Sequence, residues 1–287
     1  MVFALCGGDK RIARLATLLI EDGYGVRAWA LEDAPLIDGV RRCGTAEECV
    51  NGVGCIVLPM PCAPQRGMLS TPLSPRRHCL GELFAAVPPG ALVCAGSVTE
   101  EVRTLAEERG ARLRDYGALE SFRAANSAAT AEGTIGELLH ETPGLLCGCR
   151  AVITGCGRIT RALAPRLAAL GMRVTVSSRS ADSLAWAGAL GFSAVPLEKL
   201  ETALNGADVV INTAPALVLT ASRLTELPEG ALVLDLASKP GGTDFDAARA
   251  FGIRALSAPG LPGKWSPDAA AGAVRDAIYR IMEDEKL

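Results

Sequence analysis

The segment from Arg150 to Ser180 constrains the fold most strongly, because it alternates apolar runs with glycine turns. An apolar run, 151–154, stops at Gly155, a helical pattern of leucines follows, and a second apolar run, 172–176, comes after it. This order of strand, glycine turn, helix and strand is the context in which a glycine motif indicates a dinucleotide-binding turn. Gly155 permits the tight turn, and Gly157 lets the backbone approach a pyrophosphate at a helix N-terminus.

The third position of this glycine motif is occupied by Thr160 instead of glycine. That position governs helix–strand packing more than phosphate contact, so the departure weakens the match without removing it. The residues of the turn that we expect to contact the cofactor are Gly155, Cys156, Gly157, Arg158 and Ile159.

The end of the second apolar run indicates which dinucleotide binds. An NAD site places a carboxylate there for the ribose 2′-hydroxyl, whereas an NADP site places a basic group near the 2′-phosphate. No Asp or Glu occurs here before Asp182, and the turn offers Ser178, Arg179 and Ser180. The sequence therefore predicts a 2′-phosphate clamp and NADP as the cofactor. An ordinary exposed turn is the alternative.

Composition bounds the class of protein. The chain has 287 residues, 49% hydrophobic and 21% charged, which suits two domains with packed cores. A net charge of −3 without a long basic run argues against nucleic acid as a partner. No uncharged apolar run is long enough to span a bilayer, so no membrane partner is expected. The ten cysteines are scattered, so we expect reduced thiols, and with only two histidines we expect no metal. Because no leader is recognisable, we expect a cytoplasmic location.

Apolar runs alternate with helical patterns through both halves of the chain, which predicts an α/β fold with two doubly wound parallel-sheet domains. The predicted layout is a substrate domain (1–125), a connecting helix (126–145), a Rossmann dinucleotide-binding domain (146–262) and a C-terminal helix (263–287) that crosses back to the first domain.

Local signals add detail to this layout. Asn126 or Ser127 is expected to cap the connecting helix, and 259–263 to form a rigid loop. His78 and His140 are expected in helices with structural roles.

Polar clusters follow several predicted strands, and ligands of open α/β sheets bind outside the carboxyl ends of strands. If both sheets point these ends at a shared cleft, a substrate there would meet the nicotinamide ring. For the nicotinamide half of the cofactor we expect contacts from Thr213, Ala214, Pro215, Leu236 and Ala237. Plain turns, with Thr243 or Asp244 capping a helix, are the alternative for these segments.

Three further groups have both a functional and a structural interpretation. Gly8, Asp9 and Arg11 stand at a predicted helix N-terminus, ready for an anion, or Asp9 simply caps that helix. Ser127 and Thr130 either contact substrate or cap the connecting helix. Lys264, between rigid prolines, either pairs with a carboxylate, acts as a base or lies on the surface.

Several of these motifs together resemble the family of dipicolinate synthase A subunits, over nearly the whole chain and in the same order. The Pro-Gly-Gly-Thr-Asp-Phe and Leu-Pro-Gly-Lys blocks are more specific than the glycine motif, and Thr160 departs from the usual glycine. The matching segments are Gly7–Arg11, Asn126–Gly133, Gly155–Arg158, Ser178–Ser180, Asp235–Phe245 and Pro259–Lys264.

This resemblance implies an NADP-linked oxidation that makes pyridine-2,6-dicarboxylate during spore formation, in the mother-cell cytoplasm. The substrate would be a dihydrodipicolinate or its hydrated precursor, and the partner would be a flavoprotein-like B subunit. A homo-oligomer is also possible. Two cations would hold the dicarboxylate, Arg11 and Lys264, with Arg123 in reserve, and the base would be Asp9, Lys264 or water. The alternatives are a shikimate- or 2-hydroxyacid-type dehydrogenase and a non-catalytic NADP(H)-binding subunit.

Overall fold

The computed structural model describes residues 1–238 and 240–287. Lys239, the lysine of the Asp235–Phe245 block, therefore lies outside the described residues. The chain forms two compact units. The first comprises Met1–Asn126 together with Pro262–Leu287, and the second comprises Ser127–Leu261. The predicted domain boundaries remain predictions.

Strands and helices alternate along the described chain. The strands are β1 (Val2–Cys6), β2 (Gly25–Trp29), β3 (Val40–Arg42), β4 (Cys55–Val57), β5 (Leu92–Ala95), β6 (Arg112–Asp115), β7 (Arg150–Thr154), β8 (Arg173–Ser178), β9 (Ser193–Pro196), β10 (Val209–Asn212), β11 (Leu232–Asp235) and β12 (Arg254–Ser257). The helices are α1 (Lys10–Glu21), α2 (Ala46–Val50), α3 (Leu80–Ala86), α4 (Glu100–Glu108), α5 (Glu120–Glu141), α6 (Arg158–Ala169), α7 (Ala181–Ala189), α8 (Leu200–Leu204), α9 (Ala221–Leu224), α10 (Phe245–Ala250), α11 (Leu261–Trp265) and α12 (Pro267–Asp284).

The first unit is built on a six-stranded sheet of order β3-β2-β1-β4-β5-β6, and the paired strands run parallel. Strand β1 is apolar almost throughout because helices cover both faces of the sheet. One face buries a cluster containing Phe3 and Leu5, and the other a cluster containing Ala4 and Ile56.

The C-terminal helix α12 packs against α1, as predicted. Leu15 and Leu19 of α1 share a core cluster with Val274 and Ile278 of α12. Just beyond α12, the Glu285 carboxylate pairs with two arginines of β6, Arg112 (2.9 Å) and Arg114. The last helix is therefore fixed to the first unit by both apolar packing and charge.

The second unit contains a six-stranded sheet of order β12-β11-β10-β7-β8-β9, again with parallel pairs. Numbered from the start of each unit, both sheets have the order 3-2-1-4-5-6, which is the arrangement of dinucleotide-binding α/β domains. Strand order reverses between β1 and β4 in the first unit and between β7 and β10 in the second. The predicted α/β class is confirmed, with a Rossmann-type sheet in the second unit.

Several local expectations were wrong. Helix α5 begins at Glu120, so neither Asn126 nor Ser127 caps it; both lie within its second turn and beyond. Of the loop expected over 259–263, residues 261–263 instead begin helix α11, whose first residue, Leu261, is buried. His78 lies in the loop before α3 and stacks edge-on against Trp29, with ring centroids 4.6 Å apart.

None of the helices in 1–238 and 240–287 is long and apolar enough to cross a bilayer. Over the same ranges, His, Cys, Asp and Glu side chains nowhere gather in a group of three suited to a metal ion.

Candidate functional site

The glycine turn after β7 lies at the point where strand order reverses in the second unit. Gly155 has a φ of +95°, which favours glycine, and a Cβ there would lie 2.5 Å from Thr213 Oγ1. Its N–H donates to Ser177 O at 2.8 Å, which ties the turn to β8. Glycine is therefore required at this position both by backbone conformation and by space.

Gly157 is different, because a Cβ there would meet no atom within 4 Å. It is the N-cap residue of α6, and no side chain among the described residues caps that helix. The N-terminus of α6 therefore presents its N–H groups and the positive end of its dipole to open space. This is the cradle that a pyrophosphate fits, so the residues present suit a dinucleotide.

Thr160 occupies the third position of the glycine motif and bonds to the turn through its side chain. Its buried hydroxyl donates to Gly155 O at 3.0 Å and lies 3.3 Å from Thr213 Oγ1. Thr213 Oγ1 in turn donates to Thr154 O at 2.9 Å. The hydroxyls close the turn onto the strand beside it, so threonine is accommodated without obstructing Gly157.

The other residues of the turn differ in their exposure. Cys156 is half-buried, with its thiol 3.4 Å from Ser183 O, and Ile159 is half-buried against the core of the unit. Arg158, the first residue of α6, is exposed.

The serine–arginine turn after β8 is arranged as a helix cap beside an exposed cation. Ser180 caps α7 by accepting from Ser183 N at 3.2 Å, and Ser178 Oγ accepts from Ser180 N at 3.2 Å. Arg179 is exposed and makes no ion pair or hydrogen bond to the part of the chain that the structure describes. The nearest following acid, Asp182, belongs to the first turn of α7.

The loops after β10 and β11 hold the residues predicted for the other half of the cofactor. Thr213 and Ala214 are half-buried and Pro215 is exposed, whereas Leu236 is buried and Ala237 half-buried. Asn212 and Asp235, the last residues of β10 and β11, are only 0% and 2% exposed. They bond to each other and to both loops.

In the first unit, an ion pair occupies the corresponding point of strand reversal. Arg11 Nη2 lies 2.8 Å from Asp9 Oδ2, and Arg11 Nε lies 3.0 Å from Asp9 Oδ1. Arg11 Nη2 also donates to Met60 O, in the loop after β4, which leaves Nη1 outside this set of bonds. Burial alone would lower the pKa of Arg11, but hydrogen bonding and attraction to Asp9 outweigh it, so its pKa lies above the ordinary value. The guanidinium is a fixed positive charge.

The glycine turn of the first unit is filled by its own chain. Gly8 donates its N–H to Ser70 O at 2.8 Å, and a Cβ at Gly7 would lie 2.8 Å from that same oxygen. At Gly8 a Cβ would lie 2.5 Å from Ile12. This turn therefore lacks the open space found at Gly157, although the two look alike in the sequence.

Helix α11 lies against the Asp9–Arg11 pair. A Cβ at Gly263 would lie 3.0 Å from Asp9 Oδ2 and 3.3 Å from Arg11 Nε, so only glycine allows this approach. The next residue, Lys264, is exposed, with its Nζ 5.5 Å from the ring centroid of Trp265. Lys264 is thus one residue away from the backbone that touches the ion pair.

The remaining predicted substrate contacts lie on α5. Arg123 is exposed and donates from Nε to Gly117 O at 2.8 Å, within the first unit. Ser127 and Thr130 belong to the second unit, and both are 7% exposed. The structure therefore brings Gly8, Asp9, Arg11 and the backbone beside Lys264 together, whereas Arg123 is held by a separate contact.

Two family models match consecutive parts of the chain. The family model for the N-terminal domain of the dipicolinate synthase A subunit matches residues 2–117, and the model for the NAD binding domain of D-isomer specific 2-hydroxyacid dehydrogenases matches 119–237. With the open glycine turn, these matches define the chain as an oxidoreductase that binds a nicotinamide dinucleotide in its second unit.

Relatives over the full length define the family more closely. The dipicolinate synthase A subunit of Bacillus subtilis (strain 168) is 29% identical over 285 residues, which is 98% of this chain and 95% of that protein. The crystal structure of the dipicolinate synthase A subunit from Bacillus halodurans matches with a TM-score of 0.87 and 31% identity, covering 98% of this chain and 97% of that one. The chain belongs to the family of dipicolinate synthase A subunits. An L-alanine dehydrogenase, 15% identical with a TM-score of 0.67 over 98% of this chain and 89% of its own, shares the fold alone.

Proposed function

We infer that this chain oxidises a dihydrodipicolinate, or its hydrated precursor, to pyridine-2,6-dicarboxylate with NADP⁺ as the hydride acceptor. The observation that carries this proposal is the open cradle at Gly157, followed at the end of β8 by an exposed arginine and no carboxylate. The names of the full-length relatives supply the product.

The bound nicotinamide would accept a hydride from the ring, and a base or water takes the accompanying proton. A hydrated precursor also loses one water. The residues that would hold the dinucleotide are those of the Gly155–Ile159 turn, the Ser178–Ser180 turn and the loops after β10 and β11. Fixing the ring at one place converts a chance encounter into a positioned transfer, which is the main contribution a protein makes to such a step.

The choice of NADP over NAD rests on Arg179. A charge-assisted contact to the 2′-phosphate contributes about 1.5–3 kcal/mol, so Arg179→Ala should weaken NADP⁺ binding at least ten-fold and leave NAD⁺ binding unchanged. Arg173→Ala is the matched control, because Arg173 is also exposed but lies at the opposite end of β8. Isothermal titration with both nucleotides measures the difference. Equal losses for NADP⁺ and NAD⁺ would contradict this assignment.

For the substrate, Arg11 and Lys264 are proposed to bind the two carboxylates, with Arg123, Ser127 and Thr130 as further contacts. Both oxygens of Asp9 already accept from Arg11, so in this proposal Asp9 orients the guanidinium. Lys264 or a water then remains for the proton. Arg11→Ala should raise KM for the substrate sharply and leave NADP⁺ affinity intact.

The proposed partner is a flavoprotein-like B subunit, and a homo-oligomer is also proposed. The proposed location is the mother-cell cytoplasm. The central experiment follows NADPH formation at 340 nm when enzymatically generated dihydrodipicolinate precursor is added to the purified chain, alone and with a B subunit. Turnover to pyridine-2,6-dicarboxylate supports the proposal. NADP⁺ binding without turnover under both conditions would indicate a non-catalytic role, and turnover of 2-hydroxy acids or shikimate instead would indicate the alternative dehydrogenase.

A further inference from the structure

A row of three buried polar side chains crosses the centre of the second sheet at its carboxyl edge. Thr154, Asn212 and Asp235 are register partners on the neighbouring strands β7, β10 and β11. Each is 2% exposed or less. Buried polar groups are costly unless they are hydrogen-bonded, so a row of them at this position requires an explanation.

Asn212 uses both ends of its amide. Its Oδ1 accepts from Thr154 Oγ1 at 2.7 Å and from Ala214 N at 3.3 Å. Its Nδ2 donates to Ala214 O at 3.0 Å and to Asp235 Oδ1 at 2.8 Å. One side chain therefore fixes both the N–H and the C=O of Ala214, the second residue of the loop after β10.

Asp235 completes the row on the other side. Its Oδ1 also accepts from Ala237 N at 3.0 Å, and its Oδ2 accepts from Gly242 N at 2.8 Å. A Cβ at Gly242 would lie 2.2 Å from Asn212 Nδ2 and 2.7 Å from Ala214 O. The Gly-Gly block after β11 is thus pressed onto the amide of Asn212, which accounts for glycine there.

These bonds join two loops that lie on one half of a 3-2-1-4-5-6 sheet. In such sheets each half of three strands binds one mononucleotide, and β7 to β9 carry the adenosine-side turns. The loops after β10 and β11 therefore face the nicotinamide half. Neither Asn212 nor Asp235 is accessible enough to touch that ring, so their action passes through the backbones of Ala214 and Ala237.

We propose that Asn212 and Asp235 are positioning residues that set the nicotinamide platform by locking the loop after β10 to the loop after β11. This inference rests on the proposed function, since it requires that a nicotinamide dinucleotide binds here. Neither residue would contact the ligand. Both would affect only the orientation of the nicotinamide, which is the reactive end of the cofactor.

Asp235→Asn tests the proposal. All three partners of the carboxylate are N–H donors. The NH₂ group of an asparagine at this position must therefore face one of these donors, and that loop contact is lost. The Kd for NADP⁺ should rise about ten-fold, while the Kd for adenosine 2′,5′-bisphosphate, which lacks the nicotinamide half, should change less than two-fold. Thr154→Val, an isosteric and milder change at the far end of the row, should give the same pattern at about three-fold.

Asp244→Asn is the matched control. Asp244 is the N-cap of α10 on the same connection, and asparagine keeps its bond to Ala247 N, so both affinities should stay at the parent values. Thermal unfolding of each apo-protein shows that the variants fold, and Thr154→Val carries the test alone if Asp235→Asn does not.

Each outcome has a distinct meaning. Parent-like NADP⁺ affinity in a folded variant, or equal losses for NADP⁺ and the bisphosphate, would overturn the positioning role and leave the proposed function standing. Absence of NADP⁺ binding in the parent chain would instead overturn the proposed function itself.

Discussion

Replacing Asp9 by asparagine separates two roles that the same carboxylate could have. Asparagine caps a helix as well as aspartate does, so the bond to Arg11 N at the start of α1 is retained. What is lost is the negative charge opposite the Arg11 guanidinium, whose side chain is only 9% exposed. The variant therefore leaves the local fold in place and removes the charge alone.

The magnitude follows from the burial of the pair. Breaking a fully buried pair costs about 3–5 kcal/mol, but the Asp9 side chain is 32% exposed and Arg11 keeps its bond to Met60 O. We therefore expect a loss of about 2 kcal/mol, equivalent to a Tm lower by about 4–8 °C in a unit of roughly 150 residues. Asp244→Asn, at an N-cap without an arginine partner, should leave Tm unchanged.

Steady-state kinetics then distinguish orientation from proton transfer. If Asp9 orients Arg11 for a substrate carboxylate, KM should rise about ten-fold while kcat stays within a few-fold of the parent. If Asp9 is the base, kcat should fall by about 10²–10⁴ with KM little changed. The second result would refute our assignment of Asp9, and an unchanged Tm would refute the energetic argument.

Three further predictions test other parts of the structure. NADP⁺ should protect the half-buried Cys156 from alkylation, measured by peptide mass spectrometry, and leave the exposed Cys79 unprotected; equal labelling would place the nucleotide elsewhere. Glu285→Gln should lower the free energy of unfolding in urea by about 1–2 kcal/mol, since that carboxylate is 11% exposed between two arginines, whereas the exposed Glu283→Gln should not. Burial, with the nearby Asp115 carboxylate, raises the pKa of Cys62 to about 11. The neutral thiol therefore contributes to the stability of the folded protein fully below about pH 9, and this contribution is lost as the pH rises toward 11. Cys62→Ala should therefore show a shallower loss of stability over that range, by about 2 kcal/mol.

Much of this fold could be predicted because its signals are local. The alternation of apolar strands and helical patterns indicates parallel sheets, and the glycine turn at 155–157 stands between two strands. The start of α5 could not be predicted, because it depends on packing against residues that are distant in the sequence. Ser127 and its neighbours offer good capping groups, but packing of Phe122 into the first core extends the helix back to Glu120.

The fate of the polar residues could not be predicted from spacing. Asn212 and Asp235 follow apolar strands as ligand-binding residues do, and only the register of β10 with β11 shows that they bond to each other. Burial of a side chain depends on what the rest of the chain places over it. A candidate site deduced from strand ends therefore mixes groups that face a ligand with groups that hold the loops in place.

The two glycine turns illustrate how one topology supports two kinds of site. Each follows the first strand of a 3-2-1-4-5-6 sheet, and the sequence offers both as candidate anion sites at a helix N-terminus. In the first unit Ser70 lies against Gly7 and Gly8 and fills that space, and a paired Arg11 remains at the strand reversal. In the second unit the space at Gly157 stays open. A closed turn beside a fixed guanidinium suits a small carboxylate, and an open turn at a helix N-terminus suits a pyrophosphate. The proposed roles of the two units would therefore follow from which glycine turn is filled by its own chain.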